Sequence, residues 1–125
     1  MTEYLTVGDL LKVNAAVLGA EWPAIRDAGL VAAAAARPAA TVFGEDAYPD
    51  LAGKVAAMMH SLVRSHPFLD GNKRTGWVAA RLLARLNDHT IALTENEAFD
   101  LVVELAAVDT EVPALAKRLK VEPIT

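Results

Sequence analysis

Ser65-His66-Pro67-Phe68-Leu69-Asp70-Gly71-Asn72-Lys73-Arg74-Thr75-Gly76 is the stretch on which the fold turns. One apolar helical pattern ends where it begins, and a second opens near Asn72. Between them, Pro67 and Gly71 turn the chain, and polar groups crowd together as nowhere else. A loop that opens a helix makes an anion site, because the first N–H groups of the helix lack partners and its dipole is positive there. Gly71 lets the backbone approach a phosphate closely. Lys73 and Arg74 add two cations, the second able to grip two oxygens at once. Asp70 offers a carboxylate suited to a magnesium shell completed by water and phosphate. His66 is substantially neutral near pH 7 and can take a proton from a hydroxyl. Phe68 is expected to turn inward and anchor the loop. The stretch reads as a phosphate-handling active site, distinct from the Gly-Lys-Ser/Thr nucleotide loop and from the dinucleotide fingerprint.

Outward from this loop the pattern is helical. Toward the N-terminus, Asp50 to Ser65 places Leu51, Val55, Met58, Met59, Leu62 and Val63 on one face, with the methionines as core filler. His60 lies six residues before His66, not at the i,i+4 spacing of a helical zinc pair, and reads as structural. Toward the C-terminus, Asn72 to Leu86 is apolar around most of its circumference, which predicts a buried central helix with Arg81 and Arg85 as its wet stripe. Thr94-Glu95-Asn96-Glu97 is a capping box for a further helix, and Pro113 suits the first turn of the last one. At the other end, Thr6-Val7-Gly8-Asp9 caps a helix reaching about Leu18, where Gly19 stops it. A second helix is expected from Ala24 to Ala36. The irregular segment between Pro38 and Pro49 includes Thr41-Val42-Phe43-Gly44, with β propensity and turn signals, so a short hairpin or flap is expected between helices 2 and 3. Its exposed edge suits an extended partner segment. The expectation is an all-α compact bundle of about six helices, as one domain over residues 1–125.

Composition narrows the function. Apolar residues make up 54% and charged residues 22%, which fits a packed core rather than disorder. A net charge of −4 speaks against a broad nucleic-acid surface, and the loop lacks the stacking aromatics a nuclease would use. There is no cysteine, hence no disulfide or thiolate metal site, as suits a reducing cytoplasm. The N-terminus lacks a signal-peptide pattern, and no apolar run approaches the roughly 20 residues of a membrane span.

His66-Pro67-Phe68-Leu69-Asp70-Gly71-Asn72-Lys73-Arg74 closely resembles the signature of the Fic/Doc family, in particular its Doc branch. The likeness implies that His66 is the general base, Asp70 holds magnesium, and Asn72, Lys73 and Arg74 bind the phosphates of ATP. Two positions depart from the AMP-transferring members, which carry glycine at the place of Lys73 and commonly a second arginine at the place of Trp77. Doc-like members share both departures; in them ATP is bound the other way round and its γ-phosphoryl group is transferred. The resemblance therefore implies a serine/threonine kinase acting as the toxin of a toxin–antitoxin pair. Its substrate is a hydroxyl of elongation factor Tu and its outcome is arrested translation, with AMP transfer as the runner-up and an inactive binding module as the further alternative. The family's inhibitory Ser/Thr-x-x-x-Glu-Gly/Asn element is imperfectly matched by Thr41 to Asp46, in a non-helical stretch, and reads as a chance likeness. Inhibition then falls to a separate antitoxin whose C-terminal segment lies in an apolar surface groove.

Overall fold

A computed structural model describes residues 1–125. Six helices build it: α1 (Val7–Leu18), α2 (Ala28–Ala36), α3 (Leu51–Arg64), α4 (Asn72–Leu86), α5 (Glu95–Ala107) and α6 (Val112–Leu119). Two small antiparallel sheets complete it, β1 (Thr41–Val42) with β2 (Glu45–Asp46), and β3 (His89–Ile91) with β4 (Val121–Pro123). No helix is long and apolar enough to cross a membrane.

The local signals at the helix ends are used as the sequence indicates. Thr6 and Asp9 form a reciprocal capping box on α1, and Thr94 and Glu97 do the same on α5. These bonds hold the Asp9 and Glu97 carboxyls below their ordinary range, the Thr6 and Thr94 backbone N–H groups being the main cause. Gly19 ends α1 in the left-handed region.

Three expectations need correction. The second helix starts at Ala28, not Ala24, and Asp27 is its N-cap. Ala24 to Asp27 instead runs against the site loop: Leu69 donates its N–H to the Ala24 carbonyl at 2.7 Å, and Arg26 and Asp27 donate theirs to the Pro67 carbonyl at 2.9 and 3.0 Å. A tertiary backbone pairing there overrides alanine's helix propensity. The central helix is α3, not α4. Residues Gly53 to Met59, with Leu62 and Val63, are buried, and α2, α4, α5 and α6 all pack on it. The wet side of α4 is also wider than Arg81 and Arg85, since Leu82 and Leu86 are exposed. Its buried face is a stripe of small residues, Thr75, Gly76, Ala79, Ala80 and Ala84, around Leu83. Small side chains bring the helix axis close to α3 and leave the opposite face to water.

The segment between α2 and α3 is a hairpin, pairing Thr41 with Asp46 and Val42 with Glu45. Its turn is Phe43-Gly44, both at positive φ. Lys54, buried on α3, ties the hairpin down by donating to the Pro38 carbonyl at 3.2 Å and pairing with Asp46 at 3.3 Å.

α4 packs tightly on α3 at Gly76, where an added Cβ would stand 2.7 Å from the buried Val63 Cγ2. Gly76→Val is therefore expected to lower stability by about 2 kcal/mol or more through overpacking, read as a lower urea midpoint at unchanged slope.

Candidate functional site

The loop from Ser65 to Gly71 keeps its shape because one residue in it is core and the rest are tied from outside. Phe68 is 1% exposed, the inward anchor its position suggests. Asn72 closes the loop on itself: its side-chain oxygen accepts the Phe68 N–H at 3.0 Å, and its side-chain nitrogen donates to the Phe68 carbonyl at 2.9 Å. Asn72 thus shapes the loop as well as lining the cavity above it. Gly71 is the N-cap of α4 at φ +78°. A side chain there would be strained by the backbone and would meet Leu18 Cδ2 at 3.1 Å.

Two residues absent from the sequence reading do the outside tying. Asn14 on α1 is fully buried. Its amide nitrogen donates to the Asp70 carbonyl at 3.0 Å and to the Thr75 hydroxyl at 3.2 Å, while its oxygen accepts the Ala24 N–H at 2.9 Å. Arg26 donates through Nη2 to the Ser65 carbonyl at 2.8 Å and through Nε to the His66 carbonyl. Asn14 had a signal in the sequence, a polar residue four positions from both Leu10 and Leu18 on the inward face of α1. Arg26 had none, because its partners lie forty residues on.

His66, Leu69, Asp70, Gly71, Asn72, Lys73, Arg74 and Ala106 line one cavity of about 270 Å³. The structure thus gathers the loop residues singled out above. The hairpin residues Thr41, Val42, Phe43 and Gly44 are exposed and line no part of this cavity.

His66 itself has φ 51°, a left-handed conformation costing a non-glycine residue on the order of 1–3 kcal/mol. Its Nδ1 lies 3.2 Å from the Arg64 carbonyl. A carbonyl only accepts, so Nδ1 is the donor of that contact, and in the neutral ring Nε2 is the nitrogen left as an acceptor. Arg64 donates to the Leu105 and Ala106 carbonyls at 3.3 and 3.1 Å, which fixes the end of α5 beside the site. Behind it, Arg37 donates to His60 Nδ1 at 2.9 Å, and His60 Nε2 donates to Asp109 at 2.7 Å. That bond is the main reason the Asp109 carboxyl sits below its ordinary value, with Arg64 adding to it. His60 is structural, as its spacing suggested.

The pattern of the Fic/DOC family matches residues 4–84. Over 121 residues the chain is 44% identical to a protein of Mycolicibacterium smegmatis (strain ATCC 700084 / mc(2)155) named Toxin Doc, covering 95% of this chain and 92% of that one. The chain belongs to the Fic/Doc family. Proteins of this family are transferases that use ATP, and the loop cavity has the features such a reaction calls for. Thr75 donates to the Gly71 carbonyl at 2.8 Å, the first helical bond of α4, so the preceding N–H groups are left for an anion. Arg74 spends one donor on the Val17 carbonyl at 2.8 Å and is held with its remaining donors at the cavity. Lys73 is exposed and makes no ion pair.

Asp70 accepts the Gly71 N–H on Oδ1 at 2.8 Å, which leaves Oδ2 for a cation. No three His, Cys, Asp or Glu side chains cluster in the structure. A single carboxylate fits magnesium, which takes most of its shell from water and phosphate.

Asn14→Ala removes all three of the Asn14 bonds and strands groups that have no other partner. We expect a loss of about 2–3 kcal/mol, measured by urea unfolding, together with faster hydrogen exchange at the Ala24 amide, whose N–H loses its acceptor.

Proposed function

We propose that this chain is the toxin of a toxin–antitoxin pair, transferring the γ-phosphate of ATP to a threonine or serine hydroxyl of a translation protein. By family likeness that protein is elongation factor Tu, and the consequence is arrested translation in the cytoplasm. The observation that carries the reading is Lys73. Where AMP-transferring relatives have glycine, a cationic side chain rises from the first turn of α4 at the mouth of the loop cavity. It occupies the room an α-phosphate with its nucleoside attached would need, yet it complements a terminal phosphate.

His66 Nε2 accepts the proton of the acceptor hydroxyl as its oxygen attacks the γ-phosphorus. The bond from that phosphorus to the β–γ bridging oxygen breaks, and ADP leaves. Phosphoryl transfer asks for positioning and charge neutralisation more than for covalent help. Arg74, Lys73 and the N-terminal N–H groups of α4 meet the charge on the phosphate oxygens. Asp70 Oδ2 would hold magnesium, which neutralises phosphate charge when bound. The Thr41 to Gly44 hairpin presents an unpaired backbone edge to an extended target segment. The partner that silences the toxin is a cognate antitoxin whose C-terminal segment becomes helical in an apolar surface groove. The 44% identity to a protein named Toxin Doc supports this placement in the family's Doc branch. The whole chain acts as one domain.

ATP labelled at the γ or the α position, incubated with the protein and elongation factor Tu, tests the reaction. Label is expected on the target from the γ position alone, with a mass gain of about 80 Da for one phosphate rather than about 329 for AMP. Label from the α position instead would establish the AMP-transferase reading. His66→Ala is expected to cut the transfer rate by about 100-fold or more; growth arrest that survives this change would point to a non-catalytic module.

A further inference from the structure

The hairpin between α2 and α3 does not hold its own position. It consists of two residue pairs, and its strand residues, Thr41, Val42, Glu45 and Asp46, are all exposed. A two-stranded hairpin without an apolar face is marginal in water, so its place is set at its roots. The chief root is Lys54, 2% exposed near the start of α3. Its ammonium donates to the Pro38 carbonyl ahead of β1 at 3.2 Å and pairs at 3.3 Å with the carboxylate of Asp46, which ends β2. One cation thus clamps both legs of the hairpin. The Tyr4 ring centroid lies 5.6 Å from the same ammonium. Arg37 adds a second root: its Nε donates to the Tyr48 hydroxyl at 3.0 Å, and its Nη1 donates to Ser61 Oγ on α3 at 3.0 Å.

We propose that Lys54 is a positioning residue for the protein substrate, holding the hairpin edge at a fixed place relative to His66. The proposal rests on the reading of the hairpin as the docking edge for the acceptor segment and adds what aims that edge. Lys54 and His66 are joined by one helix, because α3 runs from Leu51 to Arg64 and His66 follows two residues later, its ring on the Arg64 carbonyl. A buried ion pair adds little net stability over apolar side chains of the same volume, and is better suited to fixing one geometry. An apolar side chain from α3 has nothing in the exposed strands to pack against, whereas a cation reaches a carbonyl on one leg and a carboxylate on the other. A docking edge ordered in advance spares the acceptor segment the cost of ordering it. Lys54 therefore acts on recognition of the protein and not on the chemistry of ATP at the loop cavity, whose lining it does not join.

Lys54→Met keeps the length of the side chain and removes its charge. Asp46→Asn, at a half-exposed carboxylate, weakens the same clamp without touching the core, and decides alone where Lys54→Met fails to fold. With γ-labelled ATP and elongation factor Tu, both variants are expected to raise KM for the protein about tenfold, with kcat and KM for ATP within about twofold of wild type. The Ala47 amide donates to the Ala40 carbonyl across the hairpin at 2.8 Å. Its hydrogen exchange is expected to quicken about tenfold while the α3 amides keep their rates, a readout that needs no substrate. Quickened exchange with an unchanged protein KM would overturn the proposal and leave the phosphate-donor reading standing. Unchanged exchange in both variants would overturn it as well, since the clamp would then lie elsewhere. A fall in kcat with both KM values moving together would mark Lys54 as a fold residue only, and sink the positioning role. No label on elongation factor Tu with the wild-type protein would remove the acceptor reading and this proposal together.

Discussion

One buried amide holds the site together. Asn14 reaches the loop at the Asp70 carbonyl, α4 at Thr75 and the α1–α2 connection at the Ala24 N–H. A loop that turns its polar groups toward a cavity cannot satisfy its own backbone by regular structure, and unsatisfied buried groups are costly. Asn14, Arg26 and Asn72 supply those partners from three directions. Because both ends of the Asn14 amide are used and its surroundings exclude water, the network fixes one geometry rather than adding much net stability.

That geometry aims the chemistry. His66 sits in a strained conformation at the end of α3, and its carbonyl is held by Arg26 while its ring is oriented by the Arg64 carbonyl. Strain at one residue persists only where the neighbours over-determine it. Here they do so by the Arg26 side chain, the Arg64 carbonyl and an antiparallel strap of backbone from Ala24 to Asp27. The loop then needs little rearrangement as charge develops, which is what makes fixed N–H groups effective near phosphate oxygens.

Much of this was legible from the sequence, and the illegible parts share a cause. The capping boxes at Thr6 and Thr94, the stop at Gly19 and the turn at Gly71 are local chemistry, and each is realised where its residues stand. The false start of α2 at Ala24 reflects a partner at Pro67, far along the chain, which no window of sequence contains. The β4 strand is likewise defined by β3 rather than by its own residues. In α4, counting apolar positions concealed that the buried ones are small. Their size sets the depth of the contact with α3, and Leu82 and Leu86 are left outside. The residues that line the loop cavity were readable because they lie close together in the chain; Asn14 and Arg26, which hold the loop from outside, were not.

The overall charge of −4 poses a question that the site's geometry answers. A polyanionic donor should be repelled by an acidic chain, yet at physiological ionic strength charges more than about 8 Å apart are largely screened from one another. The remote carboxylates therefore count for little at the loop cavity, which Lys73, Arg74 and the first turn of α4 line directly. The cationic patch of Lys73 and Arg74 is short and lies at the loop cavity. Such a surface can hold one small polyphosphate, whereas an extended nucleic acid needs a stripe of cations to exploit counterion release. An acidic exterior around a local cationic patch thus suits one small polyphosphate better than an extended nucleic acid.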